Sequence, residues 1–521
     1  MRADSAVSTV TDQMFPLRLG GGDAFSHVAS FLKSARFDEE TLCRILGIPS
    51  MAEFGSVRPH EVDLAGADSP LLALLVRLFL FIEPVTGEEV ARAIEPAVLR
   101  ALLDLDLLRP YPAPGDSAAY CAPVLLYPVA GLLIASDRHE NPDRSSFVPP
   151  VDVVFPAIFA GTLRFLKILP TTSVEDVLDL CAGTGIGALA LSRHVQRAVA
   201  ADITGRATHF ARFNCLLNRC ANVEVAQGDL YQPVDGRTFD RIVAHPPYVP
   251  AASDTQIFRD AGQTGEAVLQ PIIAGLPRFL RRGGAFYSMC GGWDAKDGPF
   301  EARVRHWLGA AHEEFDVLFA MHHEMSPADV ARGLAEQAGG GDLSQVSHWR
   351  GLFGDAGVER RVYGALVLDR PGAGRRQPIT RRLRLSSLTD GASFERLLRW
   401  LRWRDTMDAR GELVPWLLQA TLHLSPHLRM NVAYAPQPDG LGVTDVVLET
   451  DRPFAAMTRI DPWMFTLVAR FDGQQTAAAI YESARTASQL PEGFGSEDFT
   501  KLVATMIERG YVEVSDESLG A

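Results

Sequence analysis

The sequence predicts an α/β chain: a seven-stranded sheet with crossover helices in its middle, flanked on both sides by mainly helical, winged-helix-like units. Three observations predict it. Between Ser173 and Asp369, short apolar runs alternate with helical patterns, the rhythm of strands joined by crossover helices. Before and after that region lie groups of three helical patterns, each followed by strand-like runs. At 521 residues the chain also exceeds a single core, which stops growing at roughly 250–300 residues.

In chain order, residues 1–60 read as a loose start followed by helices over Ala24–Ser34 and Glu39–Leu46. Residues 61–147 hold the helical runs LLALLVRLFLF, GEEVARAI and AVLRALLDLDLL, punctuated by Pro84 and Pro96, then strand-like runs at Ala119–Leu126 and Val129–Ala135. Within residues 148–370 the seven strands are placed at Asp176–Leu180, Arg197–Ala201, Val223–Gln227, Arg241–Ala244, Ala285–Cys290, Asp316–Met321 and Tyr363–Leu368. The run Pro371–Pro378, PGAGRRQP, marks the boundary to a C-terminal part, residues 371–521. That part ends in PWMFTLVARF, TAAAIYESARTA, DFTKLVATMIERG and the strand YVEV. A helix entering a DNA groove would need cations, yet this last one carries Glu497, Asp498 and Glu508 against Lys501 and Arg509. Packing or partner recognition is the expected role.

Composition narrows the class. The chain is 47% apolar and 22% charged, as ordinary soluble proteins are, and its net charge of −14 disfavours bulk nucleic acid as substrate. The six cysteines (Cys43, Cys121, Cys181, Cys215, Cys220, Cys290) form no CxxC pair and read as reduced thiols. The opening residues lack a basic stretch leading into an apolar run, and the most apolar window, Leu71–Ile82, is too short to span a bilayer and contains Arg77. A cytoplasmic location without membrane attachment is expected.

The chemistry is concentrated at four strand ends. The first strand runs into VLDLCAGTGIGALALS, where Ala182, Gly183 and Gly185 let a ligand approach the backbone closely and Asp179 can meet an ammonium group. A dinucleotide site would want glycine where Cys181 stands. About twenty residues on, AVAADIT ends the second strand with Asp202, a carboxylate placed to accept both hydroxyls of a ribose. Either aspartate alone is more often a cap or a solvated turn; together in consecutive strand and helix units they point to a nucleoside cofactor with a charged tail. QGDLYQP then places Asp229 and Leu230 beside the adenine. The fourth strand ends in FDRIVAHPPYVP: two prolines stiffen the turn so that the carbonyls of His245 and Pro246 point at an incoming nucleophile, and Tyr248 offers an aromatic face.

With these residues in place, residues 173–300 resemble class I S-adenosylmethionine-dependent methyltransferases that carry an (Asn/Asp/Ser)-Pro-Pro-Tyr motif. Members of that group modify adenine and guanine nitrogens in DNA and RNA or a glutamine amide in release factors. The wider layout, about 65–515, is similar to a bacterial methyltransferase family with an extra helical domain before the catalytic one, in the stretches YQPVDGRTFDRIVAHPPYVP and FRDAGQTGEAVLQPIIAGLPRFLRRGG. The resemblance implies a Rossmann-like methyltransferase sheet whose last two strands pair antiparallel, with S-adenosyl-L-methionine as cofactor. It implies that Asp179, Cys181, Ala182, Gly183 and Gly185 line the methionine end, Asp202 and Ile203 the ribose and adenine, and Asp229 and Leu230 the adenine. His245, Pro246, Pro247 and Tyr248 then form the transfer site, with His245 and Tyr248 as the catalytic pair.

The chain departs from the motif at His245, where the group has a fixed hydrogen-bond acceptor. Imidazole brings a group titrating near neutral pH, which suits an acceptor that must lose a proton; its bland alternative is a loop-shaping hydrogen bond. The loop Ser253–Gly265 and the run Gly291-Gly292-Trp293 are expected to line the acceptor mouth. His322-His323-Glu324 is a poor metal site, because adjacent imidazoles do not easily share one ion, and no metal is expected. Arg360–Arg404 holds twelve arginines beside Trp400 and Trp403, either a solvated helix face or a dock for an acidic ligand.

The reading that follows is methyl transfer to a nitrogen or oxygen of a small molecule or peptide in specialised metabolism, with a homodimer as one possible assembly. Its rivals are an RNA or protein N-methyltransferase and a non-catalytic, cofactor-sensing regulator.

Overall fold

Capping residues set the first helices. The computed structural model describes residues 15–64, 69–112, 118–251, 257–337, 343–372, 377–438 and 440–514. α1 (Gly22–Ser34) and α2 (Glu39–Leu46) are followed by α3 (Pro70–Phe79), α4 (Gly87–Ala93) and α5 (Pro96–Asp104). Asp38, Ser69 and Thr86 each accept a first-turn amide of α2, α3 and α4, and prolines open α3 and α5 where no amide donor is needed. Pro96, read as a separator, is thus the first residue of α5.

The short strands β1 (Val85–Thr86), β2 (Arg109–Tyr111) and β3 (Ala119–Cys121) make one antiparallel sheet, and β4 (Val124–Val129) pairs with β5 (Leu132–Asp137) as a hairpin. After α6 (Ala160–Ile168) come β6 (Val174–Leu180), α7 (Ile186–Leu191), β7 (Val195–Asp202), α8 (Gly205–Leu217), β8 (Val223–Gln227), β9 (Phe239–Ala244), α9 (Leu269–Phe279) and β10 (Leu280–Ala295). The alternation expected from the apolar runs is present, and β6 pairs parallel with both β7 and β9, as β7 does with β8.

The chain divides into two compact units. The first comprises Met1–Leu166, Thr172–Arg281 and Phe286–Gly292. Its N-terminal helices share one core with the parallel strands' helices: Phe25 of α1 meets Phe213 of α8 edge-on at 5.0 Å, and Leu189, Phe210 and Phe213 belong to the same buried cluster as Leu75, Phe79 and Leu126. Two asparagines complete the join. Asn214 of α8 exchanges hydrogen bonds with both backbone groups of Ala135 (2.8 and 3.0 Å) and donates to the Thr184 carbonyl, while Asn218 does the same with Leu133 (2.9 and 2.7 Å). Side-chain amides here take the place of a neighbouring strand for β5.

The second unit comprises Lys167–Thr171, Arg282–Ala285 and Trp293–Ala521. α10 (Phe300–Trp307) precedes β11 (Asp316–Met325), which runs antiparallel to β12 (Val358–Asp369), as implied for the last two strands. An eighth strand, β13 (Thr380–Arg384), pairs parallel with β11 and corrects the count of seven. Its sequence TRRLR hid it, because the cations that obscure the alternation are neutralised by folding: Arg382 forks onto Asp294 and Glu301, and Arg381 pairs with Glu508. The break at Pro371–Pro378 is therefore followed by another sheet strand; its residues 373–376 lie outside the described residues. α11 (Gly391–Arg410) carries the last four arginines of the arginine-rich run, and Arg402 pairs with Asp369 and Arg404 with Glu508. No helix among the described residues is long and apolar enough to cross a membrane.

Candidate active site

Within the first unit, the carboxyl ends of β6, β7, β8 and β9 open into a cavity of about 910 Å3. That is the upper end of the usual range for ligand clefts, roughly 300–1,000 Å3. Asp179, Cys181, Ala182, Gly183, Asp202, Ile203, Asp229, Leu230, His245, Pro246, Pro247 and Tyr248 all line it. Gly185 stands one step back, capping α7 at φ 80° with its missing side chain facing Ala211 at 3.1 Å. Cys181 and Gly183 also have positive φ, so the turn bends sharply away from the strand.

Two carboxylates anchor this end. Asp179 is buried and accepts the Ala188 amide at 2.8 Å. Burial, together with the neighbouring charge of Asp202, pushes its pKa up to about 7. Gly187 makes this approach possible, because a Cβ there would lie 2.7 Å from Asp179 Oδ2. Asp202 accepts Gly183 N at 2.9 Å and Thr204 N at 3.0 Å, and burial raises its pKa as well. The Cys181 thiol is pushed far up by burial and by the charges of Asp202 and Asp179, which leaves it neutral and unreactive. Ile203 is 53% exposed on the cavity rim.

At the β9 exit the His245 ring lies near Phe165 (centroids 5.3 Å apart, 21° between planes) and Tyr248 (6.1 Å, 25°). Its Nε2 is buried with no hydrogen-bond partner among the described residues. Burial lowers its pKa to about 4, which corrects the titration expected near neutrality: at pH 7 His245 is an uncharged imidazole, with a ring nitrogen able to accept or donate a hydrogen bond.

A strap crosses this turn. Val249 N bonds Arg259 O, Ala261 N bonds Val249 O and Ala251 N bonds Gly262 O, at 2.9–3.0 Å. Ile257, Phe258, Arg259, Asp260, Ala261 and Gly262 line the cavity, whereas residues 253–256 of the expected loop lie outside the described residues. Gly265, at φ 77°, lets the strap close, since a Cβ would meet Tyr248 O at 2.4 Å.

One expectation is overturned. Trp293 is fully buried against Phe353, with Arg361 over its ring, because β10 runs on past Gly292 and carries it into the second unit's core. A further part of the cavity wall was missed. Asp152, Val153, Val154, Phe155, Ala157, Phe159, Thr162 and Phe165 line it, and no motif or spacing in that segment signals the role. Tyr127 Oη accepts the Ala157 amide at 2.6 Å and Asp137 accepts that of Val154 at 2.8 Å, so the β4–β5 hairpin holds this wall in place. Outside the cavity, His322 and His323 are exposed and the Glu324 carboxylate pairs with Arg360.

Residues 157–290 match the methyltransferase small domain. The matched segment contains every strand end that borders the cavity and supports an S-adenosylmethionine-dependent methyltransferase. A Methanocaldococcus jannaschii protein with the provisional name protein N5-glutamine methyltransferase is 32% identical over 130 residues, 24% of this chain and 65% of that relative. The release factor glutamine methyltransferase of Mycolicibacterium smegmatis is 36% identical over 132 residues, 22% of this chain and 45% of the relative. Each alignment spans less than two thirds of the relative's own length. Among solved structures, the ribosomal protein L11 methylase of Lactobacillus delbrueckii subsp. bulgaricus is similar at 18% identity and a TM-score of 0.22, covering 38% of this chain and 70% of that one.

The residues present fit the cofactor. Asp179 is a buried carboxyl whose ionised form lacks a counter-charge, which an ammonium would supply. Asp202 keeps spare lone pairs after its two amide bonds, and Asp229 and Leu230 close the same wall.

Proposed function

We propose that this protein is an S-adenosylmethionine-dependent methyltransferase acting on a nitrogen of a protein or peptide, with a side-chain amide as the favoured acceptor. The observation that carries the reading is the uncharged, unpartnered Nε2 of His245 at the head of the Pro-Pro-Tyr turn. The names of the relatives support it, and they move the protein N-methyltransferase alternative ahead of the small molecule or peptide of specialised metabolism favoured by sequence alone.

In this reading Asp179 receives the cofactor's ammonium group, Asp202 its ribose hydroxyls, and Ile203, Asp229 and Leu230 its adenine. When bound, the cofactor supplies a methyl group on a positively charged sulfur. An amide nitrogen is a weak nucleophile, and hydrogen bonds accepted from its two N–H groups raise its electron density. His245 Nε2 accepts one and the Pro246 carbonyl the other, while Tyr248 covers the reacting face. As the new bond forms the nitrogen must shed a proton, and a protonated amide is acidic enough to lose it to water, so His245 is needed only as a hydrogen-bond acceptor. His245 thus takes the place of the fixed acceptor that the motif normally carries.

The test is turnover with a glutamine-containing peptide and isotopically labelled methyl donor, the modified atom being located by mass spectrometry. His245→Asn is expected to retain turnover, and His245→Ala to lose roughly tenfold to a hundredfold, the cost of one buried hydrogen bond left unmade. With saturating cofactor, wild-type turnover should show no inflection between about pH 6 and pH 8, because the ring is already neutral there. A half-titration near pH 6.5, abolished in His245→Asn, would make the histidine a general base and return acceptors such as hydroxyls to the front.

A further inference from the structure

Part of the cavity lining, from residues outside the strand ends, is aromatic and partly open to solvent. Phe155 is sandwiched between Phe159 (centroids 4.7 Å apart, 27°) and Phe258 (4.8 Å, 7°), yet remains 44% exposed. Beside it Val151 and Ile257 are exposed at 53% and 37%. Two segments distant in sequence meet here, and the Ile257 amide donates to Val151 O at 3.1 Å. An apolar surface of this kind costs free energy when left in water, and it is continuous with the cavity that contains His245 and Tyr248.

The hairpin contacts from Tyr127 and Asp137 fix the segment that carries Phe155, and the backbone bonds of the strap fix the one that carries Phe258. The stack is therefore a rigid surface, suited to stack a flat ring or bury a branched chain with little ordering cost. Of the nearby polar groups, Arg259 is held by the buried carboxylate of Asp260.

We propose that Phe155, Phe159 and Phe258 form a specificity wall that takes a large apolar or aromatic side chain of the acceptor peptide, next to the residue that is methylated. This rests on the peptide-acceptor reading. The wall selects by burying that side chain, while the polar groups of the Pro-Pro-Tyr turn act on the amide.

Two short peptides of equal length test it, each with a central glutamine, one flanked by phenylalanine and the other by glycine. Their binding to the full chain is measured by calorimetry with S-adenosylhomocysteine present, and their methylation separately. The phenylalanine peptide is expected to bind roughly tenfold to a hundredfold tighter, the value of burying one large apolar side chain. Phe155→Ala, whose exposed ring can be removed without opening the core, should erase that preference through KM, with kcat on the glycine peptide and the S-adenosylhomocysteine Kd unchanged. Phe258→Ala should do the same from the strap side. Methylation of both peptides with equal KM, a preference that survives both variants, or no binding of either peptide overturns the wall. Preferential binding of the phenylalanine peptide without methylation keeps the wall and sinks the amide acceptor.

Discussion

Asp179 and His245 are displaced from their ordinary pKa values in opposite directions by the same cause, burial, and each displacement has a readable consequence. Asp179 has its pKa raised to about 7, so in the free protein it is largely protonated below that pH. A cation held beside it favours the ionised form, and binding must then expel a proton. Cofactor affinity is therefore expected to rise with pH up to about 7 and level off above it, weakening by as much as tenfold per unit below. Calorimetry of S-adenosylhomocysteine at about pH 6, 7 and 8 checks this, and Asp179→Asn should flatten the profile. A wild-type affinity independent of pH would show that no cation sits against this carboxyl. For His245 the folded pKa is lowered, so the neutral ring is favoured in the fold, and stability is lost as pH falls from about 6.5 toward 4.

Among the elements, α8 carries the most. Its sequence FARFNCLLN places Phe210, Phe213, Asn214 and Leu217 on buried positions, where a simple amphipathic helix would keep asparagine out. Asn214 is tolerated because both its amide donors and its carbonyl oxygen are hydrogen-bonded, to Ala135 and Thr184. Asn214→Ala would leave three buried backbone groups unpaired, and a loss of roughly 2–4 kcal/mol is expected in urea unfolding, against about 1 kcal/mol for the less buried Asn218→Ala. Equal effects from the two would mean that the strand mimicry is incidental. Because Thr184 lies in the glycine-rich turn, Asn214→Ala should also loosen that turn and weaken cofactor binding.

At the scale of the molecule, the N-terminal helices and the β4–β5 hairpin are part of the catalytic unit's core. A chain beginning near Val148 would expose Phe210 and Phe213, unpair Asn214 and Asn218, and release the Val154 and Ala157 amides from Asp137 and Tyr127. It is expected to be insoluble or to lack a cooperative unfolding transition, rather than to persist as a cofactor-binding domain. Near-ultraviolet circular dichroism of that chain decides the point; a native-like spectrum with intact cofactor affinity would make the N-terminal part a separable accessory.

The residues in the sequence determined the strand and helix alternation, the glycine-rich turn, the spacing from Asp179 to Asp202 and the Pro-Pro-Tyr exit, because each is local: a few neighbouring side chains dictate backbone shape and direction. Tertiary structure alone decided what those groups are at neutral pH, since desolvation depends on everything packed around Asp179 and His245. It also decided the Phe155–Phe258 wall, whose halves lie about a hundred residues apart, the burial of Trp293, and the strand at Thr380–Arg384, whose cations become acceptable in a sheet only once Asp294, Glu301 and Glu508 arrive beside them. Those partners come from distant segments, so no periodicity along the chain records them.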